Sequence, residues 1–209
     1  MLVKKSLLTT VATAFLLGIS ITGSGTSTVI AATEQQYPQQ QIMREIGDKY
    51  KVGEILSDED AKLVKKHAIH ASEAQSFADA QPDNWTITGS NKNSTFTGAL
   101  SGTVYVGLNL WENNFSGTIT TYAQKGTPTH YKNSVQMEAY GPVGAGGTKI
   151  IKVADFTVTN DWTKSSKMMY SYTFDQPFNA AVTYYYVTPK GAIKNDSGSL
   201  EIIGVGKKK

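Results

Sequence analysis

Thr103-Val-Tyr-Val-Gly-Leu-Asn-Leu110, continued after Trp111-Glu-Asn-Asn114 by Phe115-Ser-Gly-Thr-Ile-Thr-Thr-Tyr-Ala123, is the stretch that decides the fold. Val104, Val106, Leu108 and Leu110 recur at every second position, with Thr103, Tyr105, Asn109 and Trp111 on the opposite parity. A period of two places alternate side chains on opposite faces of a strand, so the run reads as β with one apolar and one polar face. Glu112-Asn-Asn114 supplies turn residues between the two runs.

The same grammar extends in both directions. Trp85–Thr88, Thr95–Leu100, Thr103–Leu110, Phe115–Ala123, Ser134–Tyr140, Lys149–Thr159, Lys167–Phe174, Ala180–Thr188 and Ser199–Val205 read as strands. Gly89–Asn93, Lys125–Pro128, Asn160–Thr163 and Pro189–Gly191 carry turn chemistry between them, and Gly141–Gly147 reads as a hairpin tip. This density predicts an all-β fold, an antiparallel β-sandwich of about 8–9 strands preceded by a short helical segment.

Parity gives the expected core: Val135, Met137 and Ala139 against Gln136 and Glu138, and Met168, Tyr170, Tyr172 and Phe174 against Lys167, Ser171 and Thr173. In Lys149–Thr159 the parity switches between Ile151/Val153 and Phe156/Val158, which calls for a bulge near Ala154-Asp155. Val182, Tyr184 and Tyr186 oppose Thr183 and Tyr185, so that strand is apolar on both sides and needs a second cover. The upstream helix is the candidate cover.

That helix is expected over Ser57–Phe77. Ser57 caps the amide of Asp60, Asp58–Asp60 place negative charge in the first turn, and Leu63, Val64, His67, Ala68, Ala71, Ala74, Gln75 and Ala78 form a thin apolar stripe. Tyr37–Gln41 reads as irregular; Gln41–Tyr50 reads as a short amphipathic turn built on Ile42, Met43 and Ile46, with Gly47 and Gly53 as interruptions.

The domain plan is therefore residues 1–32 as signal peptide, 33–82 as an acidic helical segment or propeptide, and 83–209 as the sandwich. Lys4 and Lys5, the apolar run Leu7–Ile21 and the small residues ending at Ala31-Ala32 have the layout of a secretory signal. The expected destination is secreted, extracellular or cell-surface associated. The 209 residues contain no cysteine, so packing rather than disulfides must stabilise an exported chain, and thiol chemistry is excluded. Absence of disulfides and the Ser/Gly/Thr spacer lean toward a bacterial exporter.

Residues 33–82 carry six Lys or Arg against nine Asp or Glu, and residues 83–209 carry twelve Lys against eight acids. Neither balance concentrates positive charge as a nucleic-acid stripe does, so no nucleic-acid partner is expected. His67, His70 and Glu73 drift around a helix at three-residue steps, and no metal or other cofactor is assigned to them. Glu138, Asp155, Asp161 and Asp175 cannot be paired by spacing, so no catalytic residue is named.

Four aromatic residues are the candidate ligand-binding set: Trp85, Tyr105, Trp111 and Trp162. Tyr105 and Trp111 share the polar parity of their strand, while Trp85 and Trp162 lie near strand ends or turns; flat aromatic area favours contact with sugars or proteins. The leading expectation is a non-enzymatic secreted protein that binds an extracellular or cell-envelope ligand, a glycan or a protein. The alternative is a membrane-active toxin or bacteriocin-like effector with a removable N-terminal segment, in which Ser101–Leu110 and Phe115–Ala123 form a membrane hairpin. A secreted hydrolase ranks third.

Overall fold

The computed structural model describes residues 29–71, 82–109 and 112–209. Two helices, α1 (Val29–Lys49) and α2 (Asp58–His67), precede or flank eleven strands: β1 (Ile69–His70), β2 (Asp83–Lys92), β3 (Thr97–Gly107), β4 (Asn113–Lys125), β5 (His130–Val143), β6 (Lys149–Thr159), β7 (Thr163–Lys164), β8 (Met169–Phe178), β9 (Tyr184–Asn195), β10 (Gly198–Ile203) and β11 (Val205–Lys208). They form an antiparallel β-sandwich. One sheet has five strands in the order β11-β2-β3-β4-β8; the other has six, built on β1-β9-β5-β6 with β10 paired to β9 and β7 to β5.

The alternation that predicts the fold also builds its core. Leu100, Val104 and Val106 of β3, Phe115 and Ile119 of β4, Val135, Met137 and Ala139 of β5, and Tyr185 and Ile193 of β9 are buried in one cluster between the sheets. Phe115 carries the inter-sheet contact, with ring centroids 5.7 Å from Phe156 of β6 and 5.0 Å from Phe174 of β8. Met168 departs from the expected core set: it precedes β8 and is exposed, while Tyr170, Tyr172 and Phe174 pack inward.

Thr95–Leu100 and Thr103–Leu110, expected as two strands, are joined in β3. Ser101-Gly102 looks like a turn in sequence, yet Gly102 serves a close approach: a Cβ there would lie 2.2 Å from the Thr118 carbonyl oxygen of β4. The parity switch in β6 is resolved by a bulge one residue from its expected place. Ala139 pairs with Ala154 and Tyr140 with Lys152, which makes Val153 the extra residue.

The helical cover exists, with different boundaries. Ser57 caps α2 by accepting from the Asp60 amide at 3.2 Å, but the helix ends at His67 and Ala68 is extended. Ile69 and His70 instead pair with Tyr185 and Tyr184 of β9, so strand pairing overrides the helical propensity of the alanines. The remainder of the expected helix, from residue 72, lies outside the described residues. α1 runs straight through Tyr37–Gln41 and Gly47, correcting the irregular reading. Met43 and Ile46 of α1, with Leu56 and Val64, bury Tyr140 and Ile150 and flank Tyr184 and Tyr186 on the outer face of the six-stranded sheet.

Phe115→Ala should cost about 3–5 kcal/mol, because it opens a cavity between two sheets that cannot close independently. Urea unfolding followed by circular dichroism checks this through a lower midpoint at unchanged slope.

Candidate functional site

The outer face of the five-stranded sheet is laid out by register. Thr86, Thr103, Thr118 and Thr173 form one row across β2, β3, β4 and β8; Thr88, Ser101, Thr120 and Ser171 form the next. Asn84, Tyr105, Ser116 and Asp175 make a third row beside the first. Thr118 and Thr173 hydroxyls lie 2.8 Å apart, as do those of Thr120 and Ser171, so the β4–β8 part of the grid holds itself in place. Tyr105 stands 38% exposed at its edge. A shallow groove of about 500 Å³ runs past Thr103, Tyr105, Ser116, Thr118, Thr173 and Asp175. Hydroxyls, one carboxyl group and one exposed phenol ring can exchange hydrogen bonds and stacking contacts with a polar, ring-bearing ligand.

The three described aromatic candidates do not converge. Tyr105 lies on this face. Trp85 is turned inward against the sandwich core, its Nε1 donating to Tyr185 Oη at 3.0 Å. Tyr185 Oη in turn donates to Asp83 Oδ2 at 2.7 Å, and Lys208 pairs with the other oxygen of Asp83. Burial and that carboxylate contact push the Tyr185 phenol pKa upward. Trp85 also walls a cavity of about 120 Å³ with Gln40, His67, Ile69 and Tyr186, where the helices meet both sheets. Trp162 is 37% exposed beside β7, with Lys194 Nζ 4.3 Å from its ring centroid. Trp111 lies outside the described residues.

A second constellation escapes the sequence reading. Lys152 is fully buried, and its Nζ donates to the Gly47 carbonyl of α1 at 2.8 Å, to Glu138 Oε1 at 3.3 Å and to Asp155 Oδ2. All three ammonium donors are thereby used. Residues three apart on a regular strand face opposite ways; the bulge at Val153 turns Lys152 and Asp155 to the same face, opposite Tyr140 and Glu138 of β5. Gly47 lets the carboxylate sit against the helix: a Cβ there would lie 1.6 Å from Glu138 Oε1 and would displace it. Burial, with the Asp155 and Asp48 charges, raises the Glu138 pKa to about 7 against the opposing pull of Lys152. The signal in the sequence is a lysine inside an apolar β run, Ile150-Ile-Lys-Val153.

His70 does not join His67 on a helix face; its ring packs edge-on against Tyr184 at 5.1 Å. Glu73 lies outside the described residues. Comparison with protein-family models, curated proteins and solved structures finds no match.

The two described tryptophans should respond differently to truncation. Trp85→Ala is expected to cost about 3 kcal/mol or more, by lost burial and the broken bond to Tyr185. Trp162→Ala should cost less than about 1 kcal/mol, the scale of an exposed cation–π contact. Chemical denaturation of the two variants measures the difference.

Proposed function

We propose that the protein is a secreted, non-enzymatic binding module whose ligand, an extracellular or cell-envelope glycan, lies across the outer face of the five-stranded sheet. The observation that carries this reading is the hydroxyl grid beside exposed Tyr105. Strands about 4.8 Å apart repeat polar groups across the sheet, while same-face residues repeat roughly every 7 Å along it. A polyhydroxylated polymer can meet such a grid with many weak hydrogen bonds, and Tyr105 supplies a flat ring for the apolar face of a sugar. Asp175 adds a charge-assisted acceptor. A protein ligand is the less favoured form of this reading, since hydroxyl side chains outnumber apolar ones in the described rows of this face.

Export is compatible with the packing. Removal of residues 1–32 would trim α1 near its start and keep Gln40, Met43 and Ile46, which make its buried contacts. The membrane-hairpin reading draws on the lengths of β3 and β4, 11 and 13 residues. Against it, these strands are the interior of their sheet, paired to β2 and β8 on their outer sides, so extraction breaks two further ladders.

Retention on insoluble chitin, cellulose and peptidoglycan sacculi tests the proposal. The protein should be retained by at least one of the three, Tyr105→Ala and Thr103→Val/Thr118→Val should each weaken retention about tenfold, and Trp162→Ala should leave it unchanged. Absence of retention on all three, or retention indifferent to the face variants, would contradict it.

A further inference from the structure

We propose that residues 38–71 are a proton-controlled cap: docked, they cover the Tyr140, Tyr184 and Tyr186 end of the outer face of the six-stranded sheet, and loss of a proton at the buried latch loosens them to uncover those three tyrosines. The occupant of that surface is thus the chain's own N-terminal segment, and the inference stands independently of the glycan reading.

The cap is fastened at both margins of the sheet. On the β6 side the Gly53 amide donates to the Lys152 carbonyl at 2.8 Å, Leu56 to Ile150 at 2.9 Å, and Lys152 returns a bond to Glu54 at 3.2 Å. Ile55 forms a bridge with Ile151. The chain then crosses the face as α2 and ends on the β9 side, where β1 pairs with Tyr184 and Tyr185 and the Ala71 amide donates to Thr183 at 2.8 Å. Tyr140, Tyr184 and Tyr186 lie beneath it, packed with Met43, Ile46 and Val64. These margins are short, a few hydrogen bonds each, whereas β3 and β4 are paired along their whole lengths. Short, local fastenings open at lower free energy than the body they cover.

The latch is what couples this opening to protons. Glu138 is 3% exposed and sits under Gly47. The groups around it come from every neighbouring element: Lys152 and Asp155 of β6, Asp48 and the Gly47 backbone of α1, Tyr186 directly opposite on β9, and Tyr140 two residues on in β5. On α2, Asp60 is engaged by Lys49 Nζ and Tyr50 Oη, each at 2.6 Å. With Glu138 ionised, the buried Lys152 faces a second carboxylate that is itself taken out of water; with Glu138 protonated, Lys152 keeps the partly exposed Asp155 as its one charged partner. Undocking returns Glu138 to water and toward its ordinary pKa of 4.5, against about 7 when docked. The docked state therefore holds the proton more firmly. Docking is strongest below about pH 4.5, weakens as pH rises, and loses nothing further above about pH 7.

Amide hydrogen exchange on the protein with residues 33–209 intact, expressed as protection factors to remove the intrinsic pH effect, tests the cap. Protection of the Gly53, Leu56 and Ala71 amides should fall by at least about tenfold between pH 5 and pH 8, while β3 and β4 stay protected. Glu138→Gln should abolish the pH dependence at the three amides. Asp155→Asn, which withdraws one of the charges that raises the Glu138 pKa, should move the transition to lower pH. A pH-independent cap in the unaltered protein, a slope that survives Glu138→Gln, or a fall shared equally by β3 and β4 would overturn the proposal.

Discussion

Strand β9 presents apolar side chains to both faces of its sheet, and the rest of the structure follows from the need to cover both. Tyr185 and Ile193 point into the sandwich, while Tyr184 and Tyr186 point outward. A two-sheet sandwich buries only one face of each sheet. The five-stranded sheet therefore satisfies half of β9, and α1 and α2 satisfy the other half. The helical segment is part of the packing of the six-stranded sheet at the end that carries Tyr140, Tyr184 and Tyr186, whereas the polar rows of the five-stranded sheet have no helix packed on them among the described residues.

A charged group at the bottom of the second interface calls for an explanation, because desolvating an ammonium group is expensive unless every donor is used. Here a single backbone irregularity supplies the solution. The bulge at Val153 brings Lys152 and Asp155 to one face, register brings Glu138 alongside, and the carbonyl of Gly47 completes the set. The contact also places Gly47 of α1 directly over Glu138, where a side chain would displace the carboxylate.

The strands, the sandwich and most core positions were legible because a period of two survives any arrangement of the strands in space. The bulge in β6 and the two-sided character of β9 were legible for the same reason. Glycine was the residue that misled: Gly102 and Gly47 look like breaks in sequence, but each is there for the missing side chain, where a neighbouring strand or carboxylate comes close. The end of α2 was hidden because pairing of Ile69 and His70 with β9 is a long-range event. Trp85 shares its parity with the buried Ile87, against Thr86 and Thr88, which is a sign of its inward direction, whereas two of the three partners of Lys152 come from α1 and β5 and are invisible in the local pattern. Of the three described candidates, Tyr105 is the one placed on an open, hydroxyl-rich face, because its strand's polar parity is also a solvent-facing one.

The helices seal the end of one sheet's outer face that carries Tyr140, whereas the outer face of the other sheet is open around Tyr105. Hydroxyl-radical footprinting of the intact protein near pH 5, read residue by residue by mass spectrometry, tests this directly, since tyrosine and tryptophan oxidise at rates set by their exposure. Tyr105 and Trp162 should label rapidly, and Tyr140 beneath the helices should label as slowly as Tyr131 and Tyr185 inside the sandwich, all three having no exposed surface. Labelling of Tyr140 at the rate of Tyr105, with Tyr131 and Tyr185 still protected, would contradict the account.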